Sequence, residues 1–265
     1  MTGGMGTGAL AGKVVVVSGV GPSLGRSIAL QSAAAGADVV LAARSTTCME
    51  SVAGEVSALG RRAVTVTTDI TDEDSSAALV AAAIDAFGHV DALVNNAFAN
   101  PSMKDFAHTD PSVIRNGLEL SLFGTLRLCQ LFTPALAESG GSIVMINSAV
   151  IRHSQPKYGS YKIAKAALLA MSQTLASELG PQGIRVNTVA PGYIWGETLK
   201  GYFAHAARKY GTTSDQIYQQ TAAGIDLRRL PEPDEIADAV VFLASPGARA
   251  ITGQCLDVNC GEYHH

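Results

Sequence analysis

Charge is scarce in this sequence. Only 16 % of its 265 residues are Asp, Glu, Lys or Arg, and the formal net charge is −4. No Lys/Arg cluster supplies the basic footprint that a phosphate backbone requires, so nucleic acid is excluded as a partner. Cysteine is also sparse. Cys48, Cys129, Cys255 and Cys260 fit no zinc or CxxC spacing and read as small, buried or half-buried side chains, with no metal site among them. No apolar run approaches the roughly 18 residues of a membrane span, so no membrane partner is expected. The first residues lack an apolar leader core, which together with the cysteine usage points to a reducing cytoplasm. Residues 1–12 are Gly-rich and read as a flexible lead-in, and 13–265 as one domain. The tail Glu262-Tyr263-His264-His265 reads as a solvated terminus in preference to a two-His metal site.

What is abundant is apolar sequence, at 47 %, enough for a large core and without a disorder signature. Short β-branched runs alternate with helical patterns. Val14–Val17, Asp38–Ala43, Ala63–Thr67, Asp91–Val94, Ser142–Asn147, Ile184–Val189 and Gln254–Val258 read as strands. Leu24–Ala35, Thr46–Leu59, Asp72–Phe87, Pro111–Ala137, Tyr158–Leu179 and Asp234–Ala244 read as helices, several stopped by glycine. Residues 193–224 are mixed and aromatic. Alternation of this kind implies an α/β fold: one doubly wound, Rossmann-like parallel sheet of about seven strands, layered α/β/α with right-handed crossovers. Ligands in such sheets bind beyond the strand carboxyl ends, where strand order reverses.

The first strand runs into Ser18-Gly19-Val20-Gly21-Pro22-Ser23-Leu24-Gly25. Glycines there permit tight turns and close approach, and the following helix start offers free N–H groups to a pyrophosphate. In that position the turn reads as a dinucleotide cradle rather than a plain tight turn. Ala43 stands where an acidic residue would bind a ribose 2′-hydroxyl. Arg44, next in sequence, suits a 2′-phosphate, which favours NADP over NAD; a solvated Arg opening a helix is the plain alternative. Asp69-Ile70 follows the third strand, where the carboxylate either accepts from the adenine amine or caps a helix.

Tyr161 and Lys165 are four apart in a helical pattern and share a face. A phenol with a reference pKa near ~10 needs a nearby cation to act as an acid–base group at neutral pH. The pair alone is an ordinary helix face. Ser148, at a strand end thirteen residues before Tyr161, adds a hydroxyl able to bond a substrate oxygen as charge develops.

With these residues in place, the chain resembles the short-chain dehydrogenase/reductase family along nearly its whole length. The matching residues are the Gly19…Gly25 turn, Asp69, Asn95-Asn96-Ala97, Ser148, Tyr161-x-x-x-Lys165, Pro191-Gly192 and Ile251-Thr252-Gly253-Gln254. The resemblance implies an oxidoreductase moving a hydride between NAD(P) and a carbonyl or secondary alcohol. It implies Tyr161 as acid in reduction and base in oxidation. Lys165 would lower the Tyr161 pKa and hold the nicotinamide ribose, while Ser148 would orient the substrate oxygen. Asn96 and Ala97 would line the adenosine ribose, and the Ile194 backbone would meet the carboxamide. It also implies a homotetramer.

Four positions depart from the family pattern. Ser121 stands where the long fourth helix usually carries a proton-relay Asn, and Asn116, five residues earlier on another helix face, is a poor replacement. Ser23 replaces the middle glycine of the turn, Phe98 a glycine after Asn95-Asn96-Ala97, and Gly196 a frequent Thr. Ser121 motivates a second reading, a dinucleotide-binding sensor or scaffold with little turnover; enoyl reduction, dehydration or epimerisation on the same fold ranks below carbonyl chemistry. Residues 193–224, with Tyr193, Trp195, Tyr202, Phe203 and Tyr210, are too long for a plain connection. They read either as a lid over an apolar, small-to-medium substrate or as a subunit contact. His153, Gln155 and Tyr158 are placed at the pocket mouth.

Overall fold

Val14–Ser18 (β1) is buried at all five positions, and its alternation divides it between two cores. Val15 and Val17 face one hydrophobic cluster, Val14 and Val16 the other, because successive strand side chains point to opposite sheet faces. The chain, seen in a computed structural model that describes residues 8–98, 102 and 104–264, continues through α1 (Leu24–Ala34), β2 (Asp38–Ala43), α2 (Thr46–Ala58), β3 (Ala63–Thr67), α3 (Glu73–Phe87) and β4 (Ala92–Asn95). Then come α4 (Pro111–Leu118), a wide π-helical turn (Glu119–Gly124), α5 (Thr125–Ser139), β5 (Ser142–Ile146), α6 (Gly159–Leu179) and β6 (Arg185–Pro191). The last elements are α7 (Glu197–Tyr210), α8 (Ser214–Ala222), α9 (Pro233–Ala244) and β7 (Cys255–Val258).

The seven strands form one sheet in the order β3-β2-β1-β4-β5-β6-β7, all parallel. Strand order reverses between β1 and β4, which opens a crevice beyond their carboxyl ends. On one face Ile28 of α1, Met49 and Val52 of α2, and Ile236 and Val240 of α9 join the core; on the other, Leu79 of α3, Phe132 of α5 and Leu168 of α6 do so. The sequence expectation of strands covered on both faces holds for the centre. The edge strand β3 is half exposed, and β7 is only partly buried.

Three expectations change. The helical segment 111–139 is 29 residues long and apolar enough to cross a membrane by length and composition, where the sequence reading found no such run. Its Leu128, Cys129, Phe132 and Leu136 are each 0 % exposed, packed on the sheet. Residues 193–224 contain two helices, α7 and α8, rather than an irregular stretch. Phe203, Ala222, Ile225 and Leu230 give them a small core of their own, with Trp195 and Tyr218 packed against it. Of the supposed lead-in, residues 1–7 lie outside the described residues, but 8–12 form an anchored turn. Leu10 is 1 % exposed within the core, and its N–H donates to the Ala35 carbonyl at 2.9 Å.

Leu10 therefore belongs to the fold. Leu10→Ala is expected to cost about 2–5 kcal/mol, as core truncations do, measured by urea unfolding. A change within about 0.5 kcal/mol, as at a solvated site, would return this segment to a free lead-in.

Candidate active site

The turn after β1 is built by close backbone approach. Gly19 has φ +96, and a Cβ there would lie 2.4 Å from the Ala97 nitrogen. Asn96 Nδ2 donates to the Gly19 carbonyl at 2.7 Å, so the segment after β4 is laced to the segment after β1. A Cβ at Gly25 would lie 2.5 Å from that same carbonyl, whereas Gly21 faces open space. Ser23 precedes α1 and makes no side-chain cap bond, which leaves the first-turn N–H groups for an anion. Leu24 itself packs into the core.

Two departures from the family pattern turn out to be one contact. A Cβ at Gly196 would lie 2.0 Å from Ser23 Oγ and 3.0 Å from Ser23 Cβ. The side chain gained at position 23 fills the space left at position 196. Nearby, Pro191 closes β6, the Gly192 N–H donates to the Val258 carbonyl at 3.4 Å, and the Ile194 carbonyl accepts from Gly196 N–H at 2.8 Å. The Ile194 side chain packs on the core.

A cavity of about 320 Å³ lies over the turn, and its lining includes Gly19, Gly21, Arg44, Asp69, Ile70, Asn96 and Ala97. An adjoining cavity of about 340 Å³ runs from Arg44 and Asp69 to Ser121 and Tyr161. Glycine backbone, uncapped helix N–H groups and a groove of this extent fit a dinucleotide. Asp69 is not the helix cap. Its Oδ1 accepts from Thr71 N–H at 2.9 Å and Thr71 Oγ1 at 2.7 Å, while Asp72 caps α3 by accepting from Ser75 N–H at 2.7 Å. The Thr71 bonds, with Arg44 a smaller influence, hold the Asp69 carboxyl below its ordinary range. Phe98 is 48 % exposed and lines the groove instead of packing inside.

The chemical centre lies where β5 meets α6. Ser148 and Tyr161 line one small cavity, and the Ser148 hydroxyl is a side-chain hydrogen-bond partner of Tyr161. Lys165, 2 % exposed, donates from Nζ to the Ile146 carbonyl at 2.7 Å. Its Nζ lies 5.7 Å from the centre of the Tyr161 ring. Burial pushes the Tyr161 phenol up to about 12, opposed by the Ser148 bond. Burial pushes the Lys165 ammonium down to about 8. The sequence reading had lysine lowering the tyrosine; within the protein alone, desolvation sets the direction and Ser148 is the group that opposes it.

Sequence reasoning passed over Asn147. It is 3 % exposed, its Nδ2 donates to the Lys165 carbonyl at 3.0 Å, and its Oδ1 accepts from Ser148 N–H at 2.9 Å. One amide thus ties the strand end bearing Ser148 to the helix bearing Lys165. A polar residue at the end of an otherwise apolar strand was the available signal. Asn116 also needs correcting. The wide turn beginning at Glu119 changes the angular offset along the helix, and Asn116 lines the same cavity as Ser121 and Tyr161 instead of facing away. Ser121 is 3 % exposed within that turn.

Comparison with known proteins agrees with this geometry. Residues 19–263 match the family model described as enoyl-(acyl carrier protein) reductase. The chain is 34 % identical over 254 residues to 7alpha-hydroxysteroid dehydrogenase of Escherichia coli (strain K12), covering 95 % of this chain and 94 % of the relative. A solved 7alpha-hydroxysteroid dehydrogenase complexed with NADH and 7-oxo glycochenodeoxycholic acid superposes with a TM-score of 0.87 at 34 % identity, over 95 % and 94 % of the two chains. L-sorbose reductase from Gluconobacter frateurii, complexed with NADPH and L-sorbose, gives 0.91 at 28 % identity, over 97 % and 98 %. The chain belongs to the short-chain dehydrogenase/reductase family and is an NAD(P)-dependent oxidoreductase acting on CH–OH groups.

The Ser23–Gly196 contact makes a measurable claim. Gly196→Ala alone is expected to destabilise by about 1–3 kcal/mol through overpacking. Combining it with Ser23→Gly should recover most of that loss, a coupling visible in a double-mutant cycle of urea unfolding. Simple additivity of the two changes would show that the contact carries no energy.

Proposed function

We propose that the protein interconverts a carbonyl and a secondary alcohol on a small-to-medium, largely apolar substrate, with NADP preferred over NAD. The observation that carries this reading is the convergence of Ser148 and Tyr161 on one cavity, with buried Lys165 behind them on the same helix as Tyr161. Relatives named as dehydrogenases and reductases favour turnover over a binding-only role. Their named substrates range from a hydroxysteroid to a sugar.

In this reading a nicotinamide cofactor, when bound, would supply the hydride chemistry, and the protein's own groups manage the proton and the oxygen. Tyr161 donates a proton to the substrate oxygen in reduction and removes it in oxidation. Ser148 holds that oxygen by hydrogen bonding. Lys165 holds the nicotinamide ribose and favours the phenolate. The Gly19, Gly21, Ser23, Leu24 and Gly25 backbone receives the pyrophosphate, Asn96 and Ala97 line the adenosine ribose, and Asp69 and Ile70 flank the adenine. Pro191, Gly192 and the Ile194 backbone meet the carboxamide. Ser121 takes the relay position with Asn116 beside it. Residues 193–224 act as the lid, and the active form is a cytoplasmic homotetramer.

Arg44 supports the NADP preference because it borders both parts of the groove, while Ala43 supplies no carboxylate to repel a phosphate. Arg44→Ala is expected to raise the Kd of NADPH by about tenfold, roughly 1.4 kcal/mol of a charge-assisted bond, and that of NADH by less than twofold. Fluorescence titration with both cofactors measures this, and equal losses would remove Arg44 from 2′-phosphate recognition.

Tyr161→Phe is expected to lower kcat by about 10²–10⁴-fold in both directions with cofactor affinity retained; unchanged turnover would refute the assigned role. The proton inventory adds a pH dependence. Lys165 keeps its charge below about pH 8, and Tyr161 keeps its proton well above that. Carbonyl reduction, which uses a protonated Tyr161 beside a charged Lys165, should therefore be flat through neutrality and fall above about pH 8. In Lys165→Arg, whose charge persists, residual reduction should lose that alkaline fall. A fall at the same pH in both proteins would assign it to another group.

A further inference from the structure

Within the segment read as a solvated terminus, Glu262 and Tyr263 are held against the fold, whereas His264 is exposed. After β7, Cys260 and Gly261 take φ of 55 and 83, and the Glu262 N–H donates to the Asn259 carbonyl at 3.0 Å. This is a tight turn with both central residues left-handed, closed further by Asn259 Oδ1 accepting from Gly261 N–H at 2.9 Å. Asn259 Nδ2 donates to the Tyr263 carbonyl at 3.1 Å. The Tyr263 ring stacks on His153 with centroids 4.2 Å apart and planes 10° apart. Asp226 N–H and Leu227 N–H bond back to the carbonyls of Gly261 and Cys260. The segment is thus fixed by the backbone on one side and an aromatic stack on the other.

What this turn delivers is a carboxylate. Glu262 lines the same cavity as Ser148 and Tyr161, together with Tyr158 and Tyr193. Its Oε2 accepts the Tyr193 N–H at 3.1 Å. Its Oε1 has no hydrogen-bond partner among the described residues. Burial pushes the Glu262 carboxyl above its ordinary range, against the Tyr193 N–H and the neighbouring His153. Desolvation of this kind strengthens any donor that reaches the open oxygen.

An ionised carboxylate only accepts hydrogen bonds, so its complement is a donor on the substrate. The cavity is small, about 60 Å³, which sets that donor a few bonds from the reacting carbon. The carboxylate's neighbours Tyr158 and Tyr193 are neutral phenols, and burying an ammonium against a single anion costs more than burying a hydroxyl. We propose that Glu262 is a specificity-determining residue that accepts a hydrogen bond from a second hydroxyl on the substrate, so that the enzyme selects an apolar body bearing a hydroxyl close to the reacting carbonyl or alcohol. This rests on the assignment of Ser148 and Tyr161 as the reacting end of the cavity.

Glu262→Gln is the incisive variant. The amide oxygen still accepts the Tyr193 N–H, so the turn is kept, while the open oxygen becomes an NH₂ donor. Wild-type protein is assayed with 2-hydroxycyclohexanone and cyclohexanone. It should favour the hydroxylated ketone by about tenfold or more in kcat/KM, the discrimination expected when a buried polar group loses its partner, and mainly through KM. In Glu262→Gln, whose NH₂ can still donate to the hydroxyl oxygen, that ratio should fall severalfold as a charge-assisted bond becomes a neutral one. A wild-type ratio near one, a ratio kept in the variant, or a stronger wild-type preference for 2-aminocyclohexanone would overturn the proposal.

A second measurement does not depend on turnover. Calorimetry of cyclohexane-1,2-diol and cyclohexanol binding is compared in Tyr161→Phe protein holding NADP⁺, with and without Glu262→Gln. The diol should bind about tenfold more tightly, and that advantage should shrink severalfold in Glu262→Gln; equal binding of the two alcohols, or an advantage kept in full by the variant, would overturn the proposal. Absence of turnover in wild-type protein would count against the carbonyl-reduction reading, and the binding difference would still decide the role of Glu262.

Discussion

Everything in the site hangs on how closely two backbone segments meet at the middle of the sheet. The chain leaves β1 and β4 side by side, where strand order reverses, and the Gly19 backbone comes so near Ala97 that no side chain fits between them. The Asn96 amide bonds across the junction to the Gly19 carbonyl. Sheet pairing brings Ser18 opposite Asn95, and this contact turns that pairing into a fixed floor for the cofactor groove. The uncapped start of α1, the Arg44 and Asp69 walls and the adjoining cavity are all positioned from it.

A second junction fixes the chemistry to that floor. Lys165 is buried in α6 and anchors to the last carbonyl of β5, and Asn147 holds the Lys165 carbonyl and the Ser148 N–H with one amide. Strand and helix are therefore locked at the level of the reacting groups. Burial opposes both charges, raising the tyrosine and lowering the lysine. A site of this kind holds a neutral Tyr161 beside a Lys165 that stays charged only below about pH 8, and rewards any added positive charge that favours the phenolate.

Much of this was legible in the residues. Strands and helices follow from runs of β-branched residues and from helical spacing closed by glycine, and the dinucleotide turn is recognisable because its glycines fall between the first strand and the first helix. Ser148, Tyr161 and Lys165 were found because their spacing and chemistry agree. Leu10, Asn147, Asn116 and Glu262 were not. Leu10 sits in a Gly-rich stretch that looks like linker. Asn147 acts through a partner eighteen residues away. Asn116 depends on a local change of helical winding, and Glu262 on a reversal of the chain. The aromatic residues of 193–224 divided in a way composition does not disclose: Tyr193 faces the pocket, while Trp195 and Phe203 pack with each other and Tyr202 and Tyr210 are exposed.

The sequence by itself determined the class of fold, the location of the glycine turn and the Ser148, Tyr161 and Lys165 set proposed to react, because each is written in local pattern: period, turn chemistry and spacing. The tertiary structure alone decided which departures compensate one another and what lines the Ser148 cavity. Ser23 and Gly196 are 173 positions apart in the chain yet share one volume, and Glu262 reaches the Ser148 cavity only because the turn after β7 folds back over it. Contacts between residues distant in sequence are set by packing and backbone reversal, and no local signal in the amino-acid order carries them.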